Sequence, residues 1–433
     1  MSAVLDAIAG GRGTVVAGLV VSLPGSTYRA ASSHYTSAAG GHFYDRVLTW
    51  GQIPYVLSDR SGTLPSVQTT VRVSDEDRTL QRIYEGTRKD EIRGSAAVIY
   101  LMTPGVAYNT ETLFSGIVTK LSFPAPFQAE FTLRTNDDQL QRVSPGGGWI
   151  PNRVTWPRAK ADVFDKTTPL LYGLHDASYT QTGPGLAKCY LVDNVSHIYL
   201  VCAGKAKSIT RVYVAGTETS SGNYTAGYTT LGGRVFTTIT FSSSIPTESQ
   251  EVTCDAQGYE PVGDASGTLI TNPATQWAHR LTNFVLGDYM SGSWLSTNAL
   301  IDSTYLTAAE TYFTNLSARA STNEDEKRTG RDITAAYCKS FGMRSFWTRS
   351  GKVAMSYENI FAAPYAGTRL RWYRDELGQF SLVEDDFQVT NRIVLKQARS
   401  ASQGTYLATL EVMDASVTSD IQDSIDLEMS EAR

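Results

Sequence analysis

Apolar positions along the chain change their period twice, and these changes mark its organisation. Thr14–Leu23 is a short apolar run that predicts a first strand, followed by a polar, small-residue connector over Ser32–Gly41. From Phe43 to Arg142 the period is two. Arg46–Trp50 carries Val47 and Leu48, and Gln68–Val73 sets Val71 and Val73 against Thr70 and Arg72. Ala96–Met102 is a continuous apolar strand, followed by Leu113–Leu121 and Glu130–Leu133, which flank a rigid corner at Phe123-Pro-Ala-Pro-Phe127. Turn signals at Asp59-Arg-Ser-Gly62 and Pro104-Gly105 have the spacing of a sandwich or barrel. Within this stretch Asp75–Tyr84 predicts a short helix with Leu80 and Ile83 inward.

Ser144–Gly148 is a Gly/Pro hinge and the first clear boundary. Period two resumes beyond it, with strands expected at Pro169–Gly173, Cys189–Val192, Ile198–Val201, Ile209–Val214, Tyr224–Ala226, Val235–Phe241 and Glu251–Cys254. In the last of these, Val252 and Cys254 alternate with Thr253 and Asp255. The period then lengthens. Asn272 is placed to cap a helix whose first position is Pro273, and Trp277, Leu281, Phe284 and Val285 give it an apolar face up to Tyr289. A second helix, capped by Asp302 or Ser303, carries Tyr305, Ala309, Tyr312, Phe313 and Leu316 on one side. Glu324-Asp-Glu326 is expected to lead a third, with Ile333, Ala336, Tyr337 and Phe341 as its stripe and Gly342 as its stop. A hairpin follows across Arg349-Ser-Gly-Lys352, then strands at Leu370–Tyr373, Asn391–Gln397 and Thr405–Val412. The acidic end, Asp414–Arg433, spaces Ile421, Ile425 and Met429 as a helix would.

The pattern gives a β-rich multidomain (α+β) chain divided at 1–42, 43–146, 147–265, 266–342, 343–413 and 414–433. Its 433 residues exceed what one core organises, and 41% hydrophobic content suffices for several. A net charge of −5 provides no basic field for a phosphate backbone. Tyrosine is abundant, at 23, while charged residues make up only 19%, which suits aromatic surface buried against partners. No apolar run approaches the roughly 20 residues of a membrane span, and Asp6 sits where a signal peptide would be basic. Cys189, Cys202, Cys254 and Cys338 form no C-x-x-C pair and read as small buried hydrophobes of a reducing cytoplasm. Asn194, Asn223 and Asn315 begin glycosylation sequons that carry meaning only on an exported protein.

Reactive constellations are scarce. His34, His42, His175, His197 and His279 show no metal-ligand spacing. Gly263-Asp-Ala-Ser-Gly267 superficially resembles a serine-protease loop, with His34 or His42 as its base, but lacks the G-x-S-x-G elbow. The acid clusters Asp137-Asp138, Glu324–Glu326 and Glu384–Asp386 read as solvated or capping groups. No phosphate-binding glycine motif occurs. The expected catalytic, cofactor and metal residues are therefore none. Trp149, Trp156 and Trp294, near Gly-rich loops, offer a carbohydrate-stacking alternative.

Several segments, in order, carry a resemblance: His42-Phe-Tyr-Asp-Arg-Val-Leu-Thr-Trp-Gly51, Val73-Ser-Asp-Glu-Asp-Arg-Thr-Leu80, Leu113-Phe-Ser-Gly-Ile-Val118 and Phe131-Thr-Leu-Arg-Thr-Asn-Asp137. Pro169–Gly173, Val212–Gly216, Gly222–Thr225 and Val252–Gly258 continue it, then Leu269-Ile-Thr-Asn-Pro-Ala274 with Leu281-Thr-Asn283. Together they resemble the tail-tip or baseplate hub proteins of phage tails. The resemblance implies a tail-tube-like barrel at 43–146, an inserted β domain and a second barrel from Met343–Met413. It further implies a homotrimer in the virion, assembled in the host cytoplasm, that closes the tail tube and meets tail-tube or distal-tail proteins, the tape measure and tail fibres or receptor-binding proteins. A hexameric distal-tail ring is the neighbouring alternative: two barrels per chain favour the trimer, one the hexamer.

Overall fold

The computed structural model describes residues 15–357, apart from 37–40, 56–63, 87–88, 104–105, 145–150, 165, 177–184, 186, 243–245, 247–248, 262–264, 266, 288–294, 296–297, 317, 319 and 325, and, further on, the strands at 392–399, 406–413 and 424–428. The expected hinge beyond Ser144, the strand at Leu370–Tyr373 and most of Asp414–Arg433 lie outside the described residues.

The fold is β-rich with several lobes. Nine strands form the first sheet: β1 (Val16–Leu23), β2 (Ser26–Ala31), β3 (Tyr35–Thr36), β4 (His42–Asp45), β5 (Val47–Trp50), β6 (Gln68–Ser74), β7 (Ala96–Met102), β8 (Glu111–Ala125) and β9 (Gln128–Arg134). Their spatial order is β3-β4-β2-β1-β7-β8-β9-β6-β5. β1 lies between β2 and β7, so the segment before residue 43 belongs to the same sheet as the strands after it. The sheet curls back on itself through Arg46. Its N–H donates to Ala31 of β2 at 3.1 Å, and its carbonyl accepts from Ser74 of β6 at 2.7 Å. One continuous segment, β4–Arg46–β5, thus serves both ends of the sheet. Period-two alternation explains the interior: Leu19, Val21, Val71, Val73, Phe131 and Leu133 point into one core. The expected corner at Phe123–Phe127 is a hairpin, because β8 runs on to Ala125 and only Pro126 and Phe127 turn. Asp75, itself buried, accepts from the N–H groups of Leu80 and Gln81 at 2.9 and 3.0 Å and so anchors helix α1 (Thr79–Gly86), with Leu80 inward as expected. A single turn, α2 (Lys89–Ile92), follows.

Beyond β10 (Val143–Ser144) come β11 (Leu170–Tyr172), β12 (Leu174–His175), β13 (Ala187–Asp193), β14 (Ile198–Ala203), β15 (Ser208–Val214), β16 (Thr217–Glu218), β17 (Tyr224–Leu231), β18 (Arg234–Phe241) and β19 (Val252–Gln257). The second sheet is antiparallel throughout, in the order β16-β15-β19-β13-β14-β18-β17, with β12 also on β19. It encloses its own core, including Leu200, Val201, Phe236 and Ile239. β19 departs from the simple alternation. Thr253 and Asp255, expected outward, are buried, and Asp255 accepts from Tyr213 Oη at 2.9 Å.

Helix α3 (Pro273–Arg280) begins as its sequence dictates: Asn272 Oδ1 accepts from the N–H groups of Ala274 and Thr275 at 3.0 and 3.4 Å. It then widens into a π-helical turn, Leu281–Leu286, where an α-helix up to Tyr289 was expected. Asn283, fully buried, donates its amide to the His279 carbonyl at 3.0 Å and so satisfies an acceptor at the junction with the wider turn. The helix is buried on every side because it sits between the two lobes. Trp277, Leu281 and Val285 enter the first core, and Phe284 enters the second beside Tyr259.

Helix α4 (Ser303–Asn315) is capped by Asp302 and buries Ala309 and Phe313, whereas Tyr305 and Leu316, expected on the packed side, are exposed. Glu324-Asp-Glu326 does not lead the third helix. β20 (Thr322–Glu324) pairs with β11 and β21 (Arg328–Thr329) with β10, and α5 (Gly330–Phe341) starts at a capping box of Thr329 with Asp332. The local side-chain cap outweighs the weaker preference for acids near a helix start. Gly342 ends α5 in the left-handed conformation, φ 63°, as expected of a glycine stop. The expected hairpin is β22 (Met343–Trp347) with β23 (Val353–Tyr357), and it buries Met343, Trp347, Val353 and Met355 in the first core. Farther on, β24 (Arg392–Arg399) lies between β25 (Tyr406–Met413) and β26 (Ser424–Glu428). Of the expected second barrel, Met343–Met413, the described residues are this hairpin and the strands β24 and β25, and the rest lies outside the described residues. β26 is a strand where helical spacing was expected, since Ser-Ile-Asp-Leu-Glu also alternates with period two.

Candidate interaction surface

Groups singled out for chemistry are mostly occupied in structure. Asp137 is buried in a 3-10 turn, with Arg134 Nε at 3.3 Å and Arg331 Nη1 at 3.6 Å, and so ties the first sheet to α5. Asp138 pairs with Arg134 at 2.6 Å, and Glu326 with Arg328 at 3.6 Å. In the Gly263–Gly267 loop, Ala265 N–H donates to the buried Glu260 at 3.0 Å, and the Gly267 carbonyl accepts from Lys207 Nζ at 2.6 Å. Gly263, Asp264, Ser266, Glu384–Asp386, Trp149 and Trp294 lie outside the described residues. Trp156 is buried against Phe236, 5.6 Å between ring centroids, and presents no face for stacking.

The four cysteines are free and buried, and burial pushes the Cys202 and Cys338 thiols up to about 12, which keeps them protonated and unreactive. His175 sits with Nε2 at 2.9 and 3.2 Å from the carbonyls of Tyr172 and Thr322, so that nitrogen carries the proton. Burial depresses His175 to about 4 and His279, which meets Tyr172 Oη at 2.8 Å, to about 3. Only His34 and His42 are drawn together, although nothing in their spacing announced it. Among the described residues no three metal-ligating side chains cluster, and no helix is long and apolar enough to cross a membrane.

What the fold does assemble is a set of exposed aromatic and charged side chains on and beside the first sheet. Tyr44 is 50% exposed, Leu48 48% and Phe127 50%. The Arg46 guanidinium lies over the Tyr44 ring at 5.1 Å and pairs with Asp77 at 2.6 Å. Burial works to raise the Asp77 carboxyl, but Arg46 and the Thr79 backbone N–H hold it below the usual carboxylate range. Next in sequence, Arg78 lies over the Phe127 ring at 5.3 Å. Both Arg78 (φ 53°) and Phe127 (φ 61°) are left-handed, a conformation bulky residues rarely take. The Asp75 N–H to Phe127 carbonyl bond, 2.7 Å, helps hold them there. Aromatic rings and arginines are the residue types enriched at interface centres, and strained backbone clusters at functional sites. The segments His42–Gly51 and Val73–Leu80, far apart in sequence, meet here at Arg46 and Asp77. Hydrophobic periodicity carries no signal for such a pairing, since both residues are polar and outward.

No family model matches the chain, and no curated protein matches it significantly. Among solved structures it is similar to a chain described as "Virion of native gene transfer agent (GTA) particle", at 12% identity and a TM-score of 0.25, over 59% of this chain and 84% of that one. So low a superposition carries no argument about fold or role.

Proposed function

We propose that the protein is a structural subunit of a phage-like virion, a tail-tip or baseplate hub that works through docking surfaces. The observation carrying this reading is the Tyr44–Arg46–Asp77–Arg78–Phe127 strip, which takes all but Phe127 from two of the segments that resemble tail hubs and lies on a curled sheet. The strip would seat a second copy or a tail-tube protein, with Tyr44 and Phe127 as anchors and the two arginines fixing orientation. In the assembled tail the subunit would close the tube and contact the tape measure and the fibres or receptor-binding proteins. A second reading is a hexameric distal-tail ring, which a single barrel per chain would favour; the first sheet, curled through Arg46, supplies one such barrel, and residues 358–391 of the expected second lie outside the described residues.

Light scattering of the purified chain, followed by negative-stain imaging, tests both. A trimeric mass supports the hub and a hexameric ring the alternative, while a strict monomer at high concentration overturns both. In the double variant Tyr44→Ala, Phe127→Ala the assembly is expected to weaken with the fold intact, because both rings are half exposed.

A further inference from the structure

The surface strip continues past Tyr44 into the only two histidines the fold brings together among the described residues. We propose that the outer face of the β3–β4 hairpin is a two-histidine site for a borderline divalent transition-metal ion such as Zn2+, Ni2+ or Cu2+. Tyr35 pairs with Phe43 and Thr36 with His42 in antiparallel register. Tyr35 and Phe43 are buried, so alternation puts residues 36, 42 and 44 on the opposite, outer face, and continuation of the register brings His34 to the same face. There the His34 and His42 rings meet edge to face, 4.6 Å between centroids.

Three features make this more than a chance contact. His42 Nδ1 lies 3.0 Å from Thr36 Oγ1. A cation on Nε2 places the proton on Nδ1, where the hydroxyl accepts it, and ligating histidines are commonly held in place by such a partner on their other ring nitrogen. The His42 ring also meets the Tyr44 ring edge to face at 5.0 Å, which with the Thr36 contact limits its movement before binding. The nearest cationic group among these contacts, Arg46, lies over Tyr44 and is paired with Asp77, which offsets its repulsion. Imidazole nitrogens suit Zn2+, Ni2+ and Cu2+, with Cu2+ the tightest, and water completes the coordination. Two exposed ligands from one hairpin leave positions open on the ion, through which a residue of a neighbouring subunit could join.

Calorimetric titration of the untagged full chain with ZnCl2, and separately NiCl2, tests the site. One saturable ion per chain is expected. His34→Ala or His42→Ala should abolish or strongly weaken it, and Thr36→Val should weaken it by about tenfold, as loss of the hydrogen-bond partner of a ligating histidine does. His197→Ala, a histidine elsewhere on the chain, should leave it unchanged. The affected side chains are exposed, so folding, checked by circular dichroism, should be unaffected. Absence of saturable binding, or binding that survives in the His34→Ala, His42→Ala double variant, overturns the proposal.

Discussion

Gln276 shows what single residues contribute. Its buried amide donates to the carbonyls of Ile270 and Ala320 at 2.9 and 2.8 Å and accepts from Thr322 and Tyr337 at 3.0 and 3.3 Å. All its hydrogen-bonding capacity is used, so one side chain ties α3 to β20 and α5. Gln276→Leu keeps the volume and strands its buried partners. The expected loss is about 3 kcal/mol or more, read from urea unfolding. The two buried histidines set the acid response. Their folded values, about 4 for His175 and about 3 for His279, lie below the unfolded value of 6.5. Above 6.5 both states are neutral and this stability is complete. Below it the unfolded chain takes up protons that the folded chain refuses, until each folded value is reached. Stability is therefore expected to fall as pH drops from 6.5 towards 4, by on the order of a few kcal/mol in all. His175→Gln, which keeps an N–H for the two carbonyls, should make that decline shallower when urea midpoints are compared across the same range. Neither histidine announces its burial in the sequence, because each follows or precedes ordinary polar residues.

Among the elements, α3 and α5 show how far local signals reach. Asn272-Pro273 predicts the start of α3, and the caps at 2–3 residues' range form as expected, because capping is decided within one turn. The start of α5 follows the same physics at Thr329 and Asp332, several residues after the acidic cluster that suggested it. Thr329→Ala should lower stability by about 1 kcal/mol, with Asp332 left unable to complete the box, and thermal unfolding measures it. The π-helical turn has no comparable local signal. It depends on Asn283 reaching both the His279 carbonyl and Leu295, and Leu295 comes from beyond the helix.

At the level of the whole molecule, α3 is the joint between two cores. Trp277 fills the first and Phe284 the second, seven positions apart on one short helix. Truncating either to Ala should lower stability by about 3–5 kcal/mol. Because the helix is shared, each truncation should shift both lobes together. Calorimetry is expected to show one transition moving, not one lobe melting early; a split endotherm would mean that the lobes are independent. Among the described residues the outer strip on the first sheet stays exposed, and the oligomeric mass is the direct measure of the docking proposed for it.

The sequence by itself determined most of the strands, the caps of α3 and α4, the Gly342 stop and the two-period layout. Those features depend on neighbours within a few residues, where alternation, capping and backbone freedom act. Tertiary structure alone decided that β1 and β2 join the first sheet, that Arg46 bridges its two ends and that β19 is buried on both faces, Thr253 and Asp255 included. It also decided that α3 is buried all round and that Arg46 meets Asp77 and His34 meets His42. Most of these join segments far apart in the chain, and even the meeting of His34 with His42 inside one hairpin depends on its pairing register; a periodic pattern states which face a residue takes but not which partner awaits it there.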